Sequence, residues 1–146
     1  MPQPDVPCYF EVAEGYAVYA PFGEVSLTEA VEMVTGAIAY CRARDIAKLL
    51  VNISRLTGYS PPTLHDRYWM VQDWSAAAQG AVVVAMVARA EHIHPEKFGV
   101  RAAVDAGMAA DVFTTQREAL EWLLKTHERR AQPASSLLRG ENASDD

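Results

Sequence analysis

Basic residues are scarce in this 146-residue chain: 13 Lys and Arg stand against 19 Asp and Glu, a formal net charge of −6. A nucleic-acid surface needs clustered cations to neutralise phosphates. The one adjacent basic pair, Arg129-Arg130, reads as a solvated helix end, so no nucleic-acid partner is expected. Cysteine is scarcer still. Cys8 and Cys41 fall in different expected elements, too few for a disulfide framework or a zinc motif, and both are expected to be reduced, as in a cytoplasmic protein. Long apolar runs are missing too. The longest, Ala81 to Ala88, is far short of the roughly 20 residues that span a bilayer. The first residues, Met1 to Asp5, have neither the basic region nor the apolar stretch of a signal peptide. No membrane span is expected, and the location expected is the cytoplasm.

What is present suits one soluble domain: half the residues are hydrophobic and 22% are charged. Cys8 to Ala13 and Tyr16 to Ala20, joined at Glu14-Gly15, predict a hairpin. Tyr9, Glu11 and Ala13 alternate with Phe10 and Val12, which predicts one wetter face. Ser26-Leu27-Thr28-Glu29 is a capping box. It opens a helix with Leu27, Val31, Val34, Ile38 and Cys41 on one stripe. Leu49, Leu50, Val51 and Ile53 predict a strand covered on both faces. Ser60-Pro61-Pro62 predicts a helix start with Ser60 as N-cap, running to about Ala78. Ala81 to Ala88 reads as a central strand. Pro95 opens a further helix to about Gly107, Ala110 to Phe113 is a short strand, and Thr115 to Glu118 caps a last helix with Leu120, Leu123 and Leu124 inward. The fold class is therefore α/β, a mixed β-sheet of an N-terminal hairpin plus parallel strands, with packed helices. Residues 1–7 read as an N-terminal extension, 8–131 as the domain and 132–146 as a disordered tail.

Three stretches, LLVNISRLTGYSPPTL, VVVAMVARAEHIHPEKFG and ADVFTTQREALEWLL, resemble the STAS family, the sulfate-transporter and anti-sigma-factor-antagonist domains, and in particular its SpoIIAA-like branch. The resemblance implies a phosphorylatable serine after a central strand, whose modification changes the choice of protein partner. Laid on that pattern, Asn52 stands for the first Asp, Ser54 keeps a serine, Ser60 falls on the second Asp and Leu64 on the closing leucine. Pro61 and Pro62 fall on the two serines. Proline accepts no phosphate, so the switch residue is missing at its own position. Thr57, Ser60 and Thr63 remain as acceptors only by a shift of register. The two prolines also remove backbone N–H groups that a phosphate would use.

Other polar clusters read as weaker chemistry. His65, Asp66 and Asp73 share a helix, but no nucleophile elbow accompanies them, and solvated side chains are the simpler reading. His92-Ile93-His94-Pro95-Glu96 is the nearest approach to a metal cluster; it lacks helix-borne His-x-x-x-His spacing and a third ligand, and reads as a polar loop. No catalytic, cofactor or metal residues are assigned. The helix after the loop shows more apolar surface than one face buries: Leu64, Tyr68 and Val71 supply a core stripe, and Trp69 and Met70 fall partly off it. Thr57, Tyr59, Ser60, Tyr68, Trp69 and Trp74 are therefore the expected interaction surface. The first expectation is a non-catalytic binding domain that contacts a protein partner, a second copy of itself included. The alternative is a carrier of a small apolar or lipid-like ligand beside Trp69 and Trp74. The second alternative is an enzyme using His65, His92 or His94 with a carboxylate.

Overall fold

The computed structural model describes residues 9–131, with side chains described to residue 126. The extension at 1–7, Cys8, the Arg129-Arg130 side chains and the tail at 132–146 lie outside the described residues. The chain runs β1 (Phe10–Ala13), β2 (Tyr16–Tyr19), β3 (Gly23–Glu24), α1 (Leu27–Ala43), β4 (Lys48–Asn52), β5 (Leu56–Thr57), α2 (Leu64–Ala78), β6 (Val83–Val87), a 3-10 turn (Ala90–His92), α3 (Phe98–Asp105), β7 (Ala110–Phe113) and α4 (Gln116–Ala131). The main sheet has the order β1-β2-β4-β6-β7. Its β1–β2 hairpin is antiparallel and the rest is parallel. This is the mixed α/β architecture that the pattern of elements predicts.

The sheet carries apolar side chains on both faces because β4 and β6 are almost uninterrupted runs of Leu, Val and Ala. Successive residues of a strand point to opposite sides. Leu49, Val51 and Val84 pack with Val34, Ile38, Cys41, Val71 and Trp74 in one core; Leu50, Val83, Ala85 and Val87 pack with Ala119 and Leu123 in another. The strands β2, β4, β6 and β7 step across the sheet in one direction. Right-handed crossovers that always step the same way put their helices on the same face, which leaves the opposite face for α4. Burial drives the Cys41 thiol up to about 12, so this free cysteine behaves as a small hydrophobe.

Several local expectations change. Glu11, Val12 and Ala13 are all exposed, with Val12 63% exposed; an edge strand at the end of the sheet has no layer over either face there, so alternation does not select a wet side. α2 starts at Leu64, and its N-cap is Thr63, not Ser60. A residue that precedes proline is pushed out of the helical region, which removes Ser60 and Pro61, and a complete Thr63–Asp66 capping box then fixes the start. Pro95 likewise opens a turn rather than a helix: the Lys97 N–H donates to the His94 carbonyl, and α3 begins one residue later. In α4, Leu123 is fully buried but Leu124 is 45% exposed, and Ala119 takes the inward place. Lys48 is buried at the start of β4, its Nζ donating to the Leu124 carbonyl at 3.1 Å, and desolvation lowers its pKa.

A second, two-stranded parallel ladder pairs β3 with β5. The sequence hid it because two-residue strands have no period to read. The ladder holds the chain after β4 against the chain after β2, with the Val25 N–H donating to the Thr57 carbonyl at 2.8 Å. It sets where the next residues, Gly58 and Tyr59, can go.

Candidate functional site

Between α1, α2, α3 and the sheet lies a partly open cavity of ≈ 110 Å³. Its walls follow from the periodicities just described. α1 turns Leu27, Ala30, Val31 and Val34 towards it; α2 supplies Met70, Val71 and Trp74. Val84 and Met86 of β6 and Val112 of β7 form the sheet side, and Val100, Ala103 and Met108 close the α3 side. Alanine and glycine at positions 30, 99 and 103 leave the room that larger side chains would fill. Trp74 closes the α1–α2 seam: its indole N–H donates to the Val31 carbonyl at 3.2 Å.

Of the polar lining residues, Tyr59, His92, His94 and Lys97 come from the segments that follow β5 and β6, Arg67 from the first turn of α2, and Asp111 from β7 itself. Ligand crevices in open α/β sheets form at this carboxyl end of the strands. Tyr59 stacks on the His92 ring, with centroids 5.1 Å apart. Arg67 Nη1 donates to the His92 carbonyl at 3.0 Å. His92 thus ties both residues to one place.

Charge there is almost balanced. Lys97 Nζ pairs with Asp111 Oδ1 at 2.9 Å, and Arg89 Nε lies 3.5 Å from Glu91. The carboxylate of Asp66, next to Arg67 in sequence, is turned back to the Thr63 N–H at 3.0 Å. Its pKa is lowered, chiefly by the backbone hydrogen bond from Thr63. Desolvation, and then the charge of Arg89, lower the pKa of His92, which favours the neutral ring. Burial raises the pKa of Tyr59, so its hydroxyl stays a donor. Desolvation lowers the pKa of Arg67, though a guanidinium remains charged in proteins. The Tyr59 hydroxyl, Arg67 Nε and Arg89 Nε are buried without a hydrogen-bond partner, though Arg89 Nε keeps its ion pair with Glu91.

The structure divides the residues expected to form one surface. Tyr59 and Trp74 line the cavity, and Trp74 is only 7% exposed. Tyr68 and Trp69 face outward, together with Leu64 and His65; Leu64 and Tyr68 belong to the exposed face, not to the core stripe. The rings of Tyr68 and Trp69 meet edge to face at 5.3 Å, and the Trp69 N–H donates to His65 Nε2 at 3.1 Å. The core stripe of α2 is Val71, Trp74 and Ala78. Thr57 lies on β5 with its side chain exposed, Ser60 lies in exposed coil, and the Thr63 hydroxyl accepts the Asp66 N–H. The helix start itself has no proline, but the Asp66 carboxylate already stands there, so the anion site is compromised by charge rather than by missing N–H groups. Asn52 Oδ1 accepts from the Ser54 N–H and hydroxyl, at 3.0 and 2.6 Å, so the retained serine closes a local turn. Among the described residues, no group of three or more His, Cys, Asp or Glu could hold a metal ion.

Arg67 is the site residue that sequence reasoning missed. Its position one helical turn before Val71 and two before Trp74 was the available signal, since it places a cation on the buried stripe of α2.

No family model matches the chain, and no curated protein does. Among solved structures, it is similar to the anti-sigma factor antagonist SpoIIAA in its unphosphorylated form, with 18% identity, 79% of this chain and 97% of that chain covered, and a TM-score of 0.45. A likeness at that level assigns neither ligand nor partner. No helix among the described residues is long and apolar enough to cross a membrane.

Proposed function

We propose that this chain is a binding domain that carries a small, mostly apolar molecule in the cavity between α1, α2, α3 and the sheet. The observation that supports this is the cavity itself: ≈ 110 Å³ of partly open space with mostly apolar walls. Close-packed interiors leave few voids larger than a water molecule. An apolar cavity of about 150 Å³ stays dry and binds benzene; this one is smaller but partly open, so a single ring or a short branched chain is the upper limit of what it suits. The unpaired, buried thiol of Cys41 supports a reducing, cytoplasmic location.

The test is a thermal shift with toluene. A ligand that binds only the folded state stabilises it by mass action, so the melting temperature of the wild-type protein rises with toluene concentration and saturates. Ala103→Leu fills the cavity; it keeps the fold and loses the response. No saturable rise with the wild-type protein would remove the carrier reading.

The exposed Leu64, Tyr68 and Trp69, each about half accessible, support protein contact as a second reading for this outer face of α2. Under that reading, self-association measured by sedimentation weakens at least tenfold in Trp69→Ser. A wild-type protein that is strictly monomeric at high concentration counts against the homodimer.

A further inference from the structure

The carrier reading leaves the chemistry of the ligand's polar end open, and the lining narrows it. Two buried donors without partners, the Tyr59 hydroxyl and Arg67 Nε, belong to residues that line the same cavity and that both touch His92. Buried polar groups are nearly always paired, and each exception calls for an explanation. Arg67 Nε can only donate and the Tyr59 hydroxyl can donate as well, so one acceptor would serve both.

The local charge decides which acceptor. Lys97 is paired with Asp111; Arg89 Nε, also without a hydrogen bond, has an ion pair with Glu91 and belongs to a residue that does not line the cavity; and the carboxylate of Asp66 is turned to its own helix start. His92 is held towards its neutral form. Arg67 feels the Asp66 charge only through space and is left as the cation at this end of the cavity with no carboxylate in ion-pair contact. Because Nη1 is committed to the His92 carbonyl, the Nε–Nη2 edge of the guanidinium remains. That edge presents two parallel N–H groups and grips a carboxylate in a bidentate way.

Resting on the carrier reading, we infer that the ligand is a small monocarboxylate, with an apolar body of about one ring in the cavity and its carboxylate on Arg67 and the Tyr59 hydroxyl. One ring is the upper limit on size, because a cavity of about 150 Å³ holds benzene and this one is smaller but partly open. The cavity volume of ≈ 110 Å³ excludes a long acyl chain from the space as it stands. A single charge follows from the single guanidinium without an ion pair, since a second carboxylate would be buried without a partner.

The experiment compares benzoate, its neutral isostere benzamide, and toluene by calorimetric titration at one ionic strength. Wild-type protein is expected to bind benzoate at least tenfold more tightly than either neutral compound. Arg67→Met keeps an apolar stem in place; it is expected to lose at least tenfold in benzoate affinity while toluene affinity stays within twofold, which also shows that the cavity still folds. Arg67→Lys retains part of the preference, and Tyr59→Phe loses several-fold for benzoate alone. If toluene binds and benzoate binds no more tightly, or if Arg67→Met keeps the full preference, the carboxylate inference is overturned and the carrier reading stands. If neither toluene nor benzoate binds wild-type protein, both fall together.

Discussion

Gly58→Val lowers the stability of this protein by about 2–5 kcal/mol, combining backbone strain with overpacking. Gly58 has φ +103, and a Cβ built there lies 2.6 Å from the Val25 carbonyl oxygen and 2.9 Å from Glu24 Cγ. The first obstacle is backbone and belongs to the chain that leaves β3, so it cannot swing away without breaking the β3–β5 ladder. A β-branched residue at positive φ is an outlier in its own right. Gly15→Ala is the internal comparison. It has φ +89 with nothing within 4 Å of the added carbon, so only conformational strain applies, about 1–2 kcal/mol. Urea denaturation of both variants separates strain from collision, and an equal loss in the two would show that the close approach costs nothing. Gly58→Val should also blunt the toluene response, because the residue it displaces next is Tyr59.

Trp74→Ala costs about 3–5 kcal/mol, the range for truncating a buried aromatic. On a domain of this size that is on the order of 10–20 °C in melting temperature. The indole is 7% exposed, packs in the core with Val34, Val71 and Val84, and ties α2 to α1 through the Val31 carbonyl. Trp74→Phe keeps most of the apolar area and loses the hydrogen bond. The Val31 carbonyl keeps the bond from the Thr35 hydroxyl at 2.7 Å, so this variant costs only about 1–2 kcal/mol. A Trp74→Ala protein within 1 kcal/mol of wild type, by circular dichroism in urea, would return Trp74 to the outer surface where the sequence placed it.

That misplacement shows where sequence reasoning works and where it stops. The helix that opens at Ser26 and the strands at Leu49 to Val51 and Ala110 to Phe113 are legible because local chemistry decides them: a capping box, an unbroken apolar run, a turn on each side. The face of α2 is not local in this sense. Its residues alternate between Tyr, Trp, Met and Arg, so periodicity alone fits two stripes equally well. The structure buries Val71 and Trp74 and leaves Leu64, Tyr68 and Trp69 outside, a choice made by where α1 and α3 lie. The cavity is less local still. Its volume is set by three helices and two strands that meet only after the chain has crossed the sheet three times on one side, and small residues such as Ala30 and Ala103 leave no mark that distinguishes a cavity wall from an ordinary core. His92 read as part of a polar loop because neither its stacking on Tyr59 nor the Arg67 bond to its carbonyl can be seen from its neighbours in the chain. The prolines at 61 and 62 were legible in identity but not in effect: they lie ahead of the helix start, not inside it.

Whether the cavity is a binding site is measured most directly by methyl NMR during a toluene titration. The account predicts saturable shifts confined to the methyl groups that line the cavity, those of Val84, Val100, Ala103 and Met108, and their disappearance in Ala103→Leu. Shifts that never saturate, or that gather on Leu64 and the outer face of α2 while the cavity methyls stay still, would contradict it.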